Sequence, residues 1–238
     1  MNSATISRLL ALNRQFYQTF GREFSDKRQR VQPGVRRILE SLRGDEQILD
    51  LGCGNGELAR ELARRGHRGS YLGLDFSQPL LEEAQRQPDD FSVNFRQADL
   101  SAPDWDAGLP PGHFSLITCF AVLHHIPGAE LRLTILQKTR RLLATDGRFV
   151  LSNWQFLNSQ RLRERIQPWS EIGLSKAAVD DNDYLLDWRH GGHGLRYAHH
   201  FSEDELTCLA LASSFKVSNT FYADGEGGKL GLYQIWKV

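Results

Sequence analysis

The stretch LDLGCGNGELARELARRG, Leu49 to Gly66, sets three glycines into five positions between a short apolar run and a helix-patterned segment. Glycine accepts positive φ and lets backbone N–H groups approach a ligand at a helix N-terminus, so strand, turn and helix here form a binding corner. The neighbouring residues decide which ligand. A P-loop ends in Lys and Ser or Thr, whereas Gly56 is followed by Glu57. A dinucleotide fingerprint places a third glycine where Glu57 stands, and this carboxylate would lie near the pyrophosphate. The turn is a poor cradle for phosphate.

The surrounding pattern is a repeated alternation. QILDL, SYLGLD, FSVNFRQAD, FSLITCF and RFVLSNW read as strands, the last after a turn at Asp146-Gly147. Helix-spaced segments separate them, through Leu58 and Leu62, through Glu82 and Ala84 after Ser77 and Pro79, and through Leu131, Ile135 and Leu142. Such alternation means parallel pairing with crossover helices. Residues 1–44 read as an N-terminal helical segment, with Pro33 opening a second helix. Residues 45–154 form the binding core. The rhythm fails over 155–200, which reads as an inserted substrate cap. In 201–238, Ser202 and Glu205 have capping-box spacing, Phe201 and Leu206 form a staple, and FKVSNTFYA pairs with LGLYQIWKV as a closing hairpin.

The chain of 238 residues suits one large α/β domain. Twenty-nine basic residues balance 29 acidic ones, so no overall basic field points to nucleic acid, although Arg22 to Arg43 carries a local net charge of +4. Cys53, Cys119 and Cys208 are odd in number and widely spaced, which indicates free thiols. No signal-peptide core or membrane span is evident, and the expected location is the cytoplasm.

Three carboxylates follow strands at one edge of the expected sheet. Asp50 ends the first strand, Asp75 ends the second 19 residues after Gly56, and Asp99 follows the third. Asp75 suits ribose hydroxyls, Asp99 an adenine amino group, and the three together a positively charged ligand without phosphate. LDLGCGNG, YLGLDFS, QADL, FSLITCFAVLHHI and LLATDGRFVLSNW, in this order, resemble the successive motifs of class I S-adenosylmethionine-dependent methyltransferases. The resemblance implies a doubly wound, seven-stranded, mostly parallel Rossmann-like sheet whose last strand is antiparallel. It also implies S-adenosyl-L-methionine as cofactor. Asp50, Gly52, Cys53 and Gly54 then flank its methionine half, Asp75 takes the ribose, and Phe76 packs on the adenine. Ala98, Asp99 and Leu100 read the adenine edge, and the segment CFAVLHHI, which includes Phe120, lines the donor methyl.

A narrower resemblance lies outside this core. FYQTFGREFSDKRQRVQPGVRRIL and LRYAHHFSEDEL are similar to terminal segments of the tRNA wobble-uridine methyltransferases that esterify a 5-carboxymethyl group. Arg28, Arg30, Pro33, Arg196, Tyr197 and His199 fall on their motifs. Gln32 departs from the expected Trp-containing stretch, and the long basic insertion is missing. The resemblance implies tRNA as partner, with a carboxylate or hydroxyl acceptor oriented by Arg28, Arg30 or Arg196, and with Tyr197, His199 and His124 as further acceptor-side residues. Such enzymes also raise the expectation of a helper subunit. The alternatives are methylation of a small molecule at oxygen or nitrogen, and a non-catalytic activator subunit. Cys119 reads as a core thiol, and no metal is expected, the spacing of His190 and His193 being a weak signal.

Overall fold

The computed structural model describes residues 1–26, 30–86 and 92–238, with the backbone alone over 22–26. In chain order the helices and strands are α1 (Ser3–Asp26), α2 (Pro33–Leu39), β1 (Ile48–Leu51), α3 (Glu57–Arg64), β2 (Ser70–Asp75), α4 (Gln78–Ala84) and β3 (Ser92–Gln97). Then follow β4 (Phe114–Phe120), α5 (Ala129–Leu142), β5 (Leu143–Trp154), α6 (Gln160–Arg163), β6 (Ile166–Gln167), β7 (Asp183–Trp188) and β8 (Gly194–His199). α7 (Glu203–Ala212), β9 (Lys216–Ala223) and β10 (Gly231–Lys237) close the chain.

Seven strands form one sheet in the order β3-β2-β1-β4-β5-β10-β9, and only β10 runs against its neighbours. Successive side chains of a strand face opposite layers. Ile48 accordingly packs with Val35, Ile38, Leu58 and Leu62 of α2 and α3, while Leu49 and Leu51 pack with Ile135, Leu136 and Leu206 of α5 and α7. The second layer contains Trp236, fully buried among Phe149 and Phe215, its indole N–H donating to Gln234 Oε1 at 2.8 Å. That bond removes the cost of burying the indole nitrogen unpaired. β1 pairs with both β2 and β4, so the strand order reverses there, and a crevice opens beyond their carboxyl ends.

Three local readings need correction. β5 starts at Leu143 rather than after Asp146-Gly147: Phe114 pairs with Leu143 but Leu116 with Arg148, so that turn is carried as an irregularity inside the strand. Ser77 holds the N-cap position of α4 without a side-chain cap bond; Pro79 at N2 has no N–H to donate, and the Ser77 backbone N–H itself donates to Asp75. Ser202 Oγ does accept from the Glu205 N–H, but the Glu205 carboxylate turns to His199 instead of reaching back.

Residues 155–200 contain a second, three-stranded antiparallel sheet, β6-β7-β8. Leu185 and Tyr197 of this sheet bury Leu9 of α1, and Trp188 packs on Phe16. One stripe of α1 is thus used by the small sheet. A second stripe, Leu10, Asn13, Arg14 and Tyr17, has the i, i+3, i+4, i+7 spacing of a single helix face and lies over the crevice. Among the described residues no helix is long and apolar enough to cross a membrane.

Candidate active site

The glycine turn is shaped by positive φ at Gly52 (76°), Gly54 (56°) and Gly56 (79°). A Cβ on Gly52 would stand 2.3 Å from Val122 Cγ2, whereas one on Gly54 would meet nothing within 4 Å. Gly52 is therefore required by the protein's own packing, and Gly54 faces open space. The N–H groups of Gly52 and Cys53 donate to the Leu74 carbonyl at 2.7 and 3.0 Å, which ties the turn to the end of β2.

Asp75 completes that tie. Its Oδ2 accepts from the Gly54 N–H at 2.9 Å and its Oδ1 from the Ser77 N–H at 2.8 Å. Burial raises its pKa, and these backbone bonds work against the rise. Each oxygen keeps a lone pair for a further donor. Asp50 is used differently. Tyr71 and Thr118 donate their hydroxyls to its two oxygens at 2.6 and 2.7 Å, yet burial outweighs both bonds and lifts the pKa to about 6. It braces the turn against β2 and β4.

A cleft of about 220 Å³ opens here, lined by Asp50, Gly52, Cys53, Gly54, Asp75, Phe76, Ala98, Asp99, Leu100 and Phe120, the ten residues expected around the cofactor. Glu57 lies beside them with its carboxylate held by Arg60 and Arg64 at 2.8 and 2.7 Å. Ala121, at the end of β4, holds a left-handed φ of 57° with its N–H bonded to Ser152 O, a strained position directly on the cleft.

The acceptor-side candidates are dispersed. Arg30 lines the cleft and is exposed. Arg28 lies outside the described residues. Arg196, expected to orient an acceptor, is instead buried, its guanidinium 4.6 Å from the Trp154 ring centroid and 5.3 Å from that of Phe16, and it does not line the cleft. Tyr197 and His199 also lie outside the lining: the Tyr197 hydroxyl donates to Asp183 Oδ1 at 2.7 Å, and His199 bridges Asp183 and Glu205 at 2.7 and 2.8 Å. Their spacing in the sequence reflects a buried polar network linking β7, β8 and α7. His124 is buried and accepts the Trp154 N–H at 3.3 Å, so its neighbour His125 is the histidine that reaches the cleft.

Sequence reasoning missed the α1 stripe. Asn13 donates to the carbonyls of His125 and Tyr197 at 3.1 and 3.2 Å and accepts the Tyr197 N–H at 2.8 Å. Arg14 pairs with Asp99. The Tyr17 hydroxyl is hydrogen-bonded with His125 Nε2 at 2.8 Å. The available signal was the helical spacing of these polar residues, beside the face of Leu9 and Phe16. Cys119 is buried and its thiol is pushed up to about 12 by burial, in keeping with a core position. Among the described residues no cluster of His, Cys, Asp and Glu could hold a metal ion.

A methyltransferase-domain family model matches residues 48–147. A protein of Encephalitozoon cuniculi named as a methyltransferase is 30% identical over 205 residues, covering 85% of this chain and 86% of its own length. The chain is a class I S-adenosylmethionine-dependent methyltransferase. The solved S-adenosylmethionine-dependent methyltransferase of Methanosarcina mazei has the same fold, with a TM-score of 0.68 at 23% identity, covering 88% of this chain and 99% of its own. The methyltransferase is also 25% identical to the mouse "Probable tRNA methyltransferase 9B" over 177 residues, 73% of this chain but only 36% of the mouse protein. The cleft's chemistry fits the cofactor: open space above Gly54, a carboxylate with spare lone pairs at Asp75, an aromatic ring at Phe76, and a lining in which Asp50, Glu57, Asp75 and Asp99 outnumber Arg14 and Arg30, as suits a cationic ligand.

Proposed function

We propose that this methyltransferase modifies an oxygen, carboxylate or hydroxyl, on a modified wobble uridine of tRNA. The observation that carries the reading is the extent of the likeness to the mouse tRNA methyltransferase: 177 aligned residues exceed the 48–147 block that any such domain shares.

In this reading Asp75 accepts from the ribose hydroxyls, Phe76 packs on the adenine, Asp99 meets the adenine amino group, and the turn at Gly52 and Gly54 receives the methionine end. Bound there, the cofactor would supply a methyl group carried on a sulfonium. The protein's part is alignment and exclusion of water, which α1 provides by lying across the cleft. Residues 45–154 act as the cofactor core, and 1–44 with 155–200 form the acceptor-side cover. A small-molecule acceptor is the second reading, favoured by the α1 stripe that narrows access and by a net charge of zero.

Transfer of labelled methyl groups into total tRNA, followed by digestion to nucleosides, tests the proposal. Label in an anticodon nucleoside supports it, with binding that weakens steeply between about 50 and 200 mM salt as phosphate contacts are screened. Label confined to the metabolite fraction and insensitive to salt refutes it in favour of the second reading.

A further inference from the structure

We infer that Tyr17 and His125 form a proton-accepting pair for the acceptor, and hence that the acceptor is a hydroxyl rather than a carboxylate. This rests on the oxygen-methylation reading above and narrows it. The tautomer of His125 follows from its partners. Nδ1 lies 3.1 Å from the Tyr197 carbonyl oxygen, which only accepts, so Nδ1 carries the hydrogen. In the neutral ring Nε2 is then an acceptor, and the Tyr17 hydroxyl donates to it at 2.8 Å. Asn13 fixes the arrangement by clamping the backbones of His125 and Tyr197 together. A phenol that donates its own hydrogen to an imidazole keeps oxygen lone pairs to accept another. Both Tyr17 and His125 line the cofactor cleft, Tyr17 with its ring 5.9 Å from that of Phe76.

A carboxylate acceptor is ionised at neutral pH and needs no such pair; it needs a cation held at the reacting centre. The arginines of the described cleft do not supply one: Arg14 is bound to Asp99, and Arg30 is exposed. Arg196 lies outside the lining, beneath Trp154 and Phe16. For a hydroxyl acceptor the balance closes. The acceptor oxygen bonds to the methyl carbon, the carbon–sulfur bond breaks, and its electron pair stays on sulfur. The acceptor proton passes to the Tyr17 oxygen while the Tyr17 proton passes to His125 Nε2. The resulting imidazolium stays bonded to the Tyr197 carbonyl until its proton leaves to solvent. Among the described residues, the ionisable groups around the pair are His124, whose ring is 4.2 Å away, and across the cleft Asp50, Cys53, Glu57, Asp75, Asp99, Arg14 and Arg30.

Three measurements test the pair. Nitrogen NMR of the free protein should show His125 protonated at Nδ1 and hydrogen-bonded at Nε2, with the Nε2 signal shifting in Tyr17→Phe; a ring protonated at Nε2 overturns the inference without any turnover. Tyr17→Phe should lower kcat by about 100-fold while calorimetric binding of S-adenosylhomocysteine changes less than threefold, and His125→Gln should remove the acidic limb of the kcat–pH profile. Retention of that limb in His125→Gln overturns it. Labelled product should survive mild alkali as an ether; release of labelled methanol identifies an ester, and overturns the hydroxyl assignment while leaving oxygen methylation standing. Label on nitrogen, or no transfer to any acceptor, refutes the parent reading instead.

Discussion

Arg14 of α1 is ion-paired with Asp99, the carboxylate that follows β3, and the other oxygen of Asp99 accepts from both the N–H and the hydroxyl of Ser101 at 2.9 and 2.6 Å. The adenine amino group assigned to Asp99 therefore has to share an oxygen with a guanidinium. Arg14 is 45% exposed, and pairs of that kind contribute about 0–1 kcal/mol. Arg14→Gln should leave the melting temperature nearly unchanged and tighten S-adenosylhomocysteine binding by about 2- to 5-fold. Weaker binding in calorimetry would show that α1 has to be latched to Asp99 to close the site.

Gly52 and Gly54 separate fold from binding. Gly52→Ala drives a methyl into Val122 at a positive φ, so it should destabilise by about 2–4 kcal/mol, and Val122→Ala should recover part of the loss. Gly54→Ala pays only for the left-handed backbone, about 1–2 kcal/mol, but fills the space where the ligand's methionine end is placed. Urea titration should rank Gly52→Ala as less stable, and cofactor binding should be lost by more than tenfold in Gly54→Ala. Equal binding by Gly54→Ala and wild type would show that the ligand does not approach the turn.

What the sequence revealed follows range of interaction. The strand–turn–helix at Leu49 to Gly66 and the position of Asp75 are dictated locally, by glycine conformations and by strand ends that a parallel sheet must align, and both were legible. Tyr17, Asn13 and Arg14 owe their place to the docking of α1 between two sheets, which no local pattern specifies. Tyr197 shows the opposite error. It was expected as a side chain at the acceptor, but its ring is buried and its contribution to the cleft is a backbone carbonyl that sets the His125 tautomer. Likewise DYLLDW has the residues of a strand, yet it reads as irregular because a glycine-rich turn separates it from its partner GLRYAH.

Asp75 holds two backbone N–H groups that have no substitute. Asp75→Ala leaves the Gly54 and Ser77 donors unpaired, at about 1–3 kcal/mol each where buried, and removes the ribose acceptor. Asp75→Asn keeps one oxygen and the volume. Calorimetry with S-adenosylmethionine should find more than 100-fold weaker binding for the alanine variant and a smaller loss for the asparagine variant. Wild-type affinity in Asp75→Ala would remove Asp75 from the site.

Buried groups make stability fall with rising pH in two windows, Asp50 and Asp75 in the lower one and His199 in the upper one. Burial alone would lower the pKa of His199, but its hydrogen bonds to Asp183 and Glu205 prevail and raise it above 6.5. A raised folded-state pKa means stability that is complete below the unfolded value and is lost as pH climbs through the folded one, here above about 6.5. Asp50, lifted by burial from 3.8 to about 6, acts in the same direction lower down: the unfolded chain ionises first, and stability is lost between about pH 4 and 6. Two pKa units correspond to about 3 kcal/mol. Urea midpoints across pH 4 to 9 should therefore show Asp50→Asn flattening the lower slope only and His199→Gln the upper slope only. His200, whose pKa burial lowers, works in the opposite sense, so each effect is read as a difference from wild type. If the upper slope persists unchanged in His199→Gln, the Asp183–His199–Glu205 bridge is not charged in the folded protein, and the network joining β7, β8 and α7 rests on neutral hydrogen bonds.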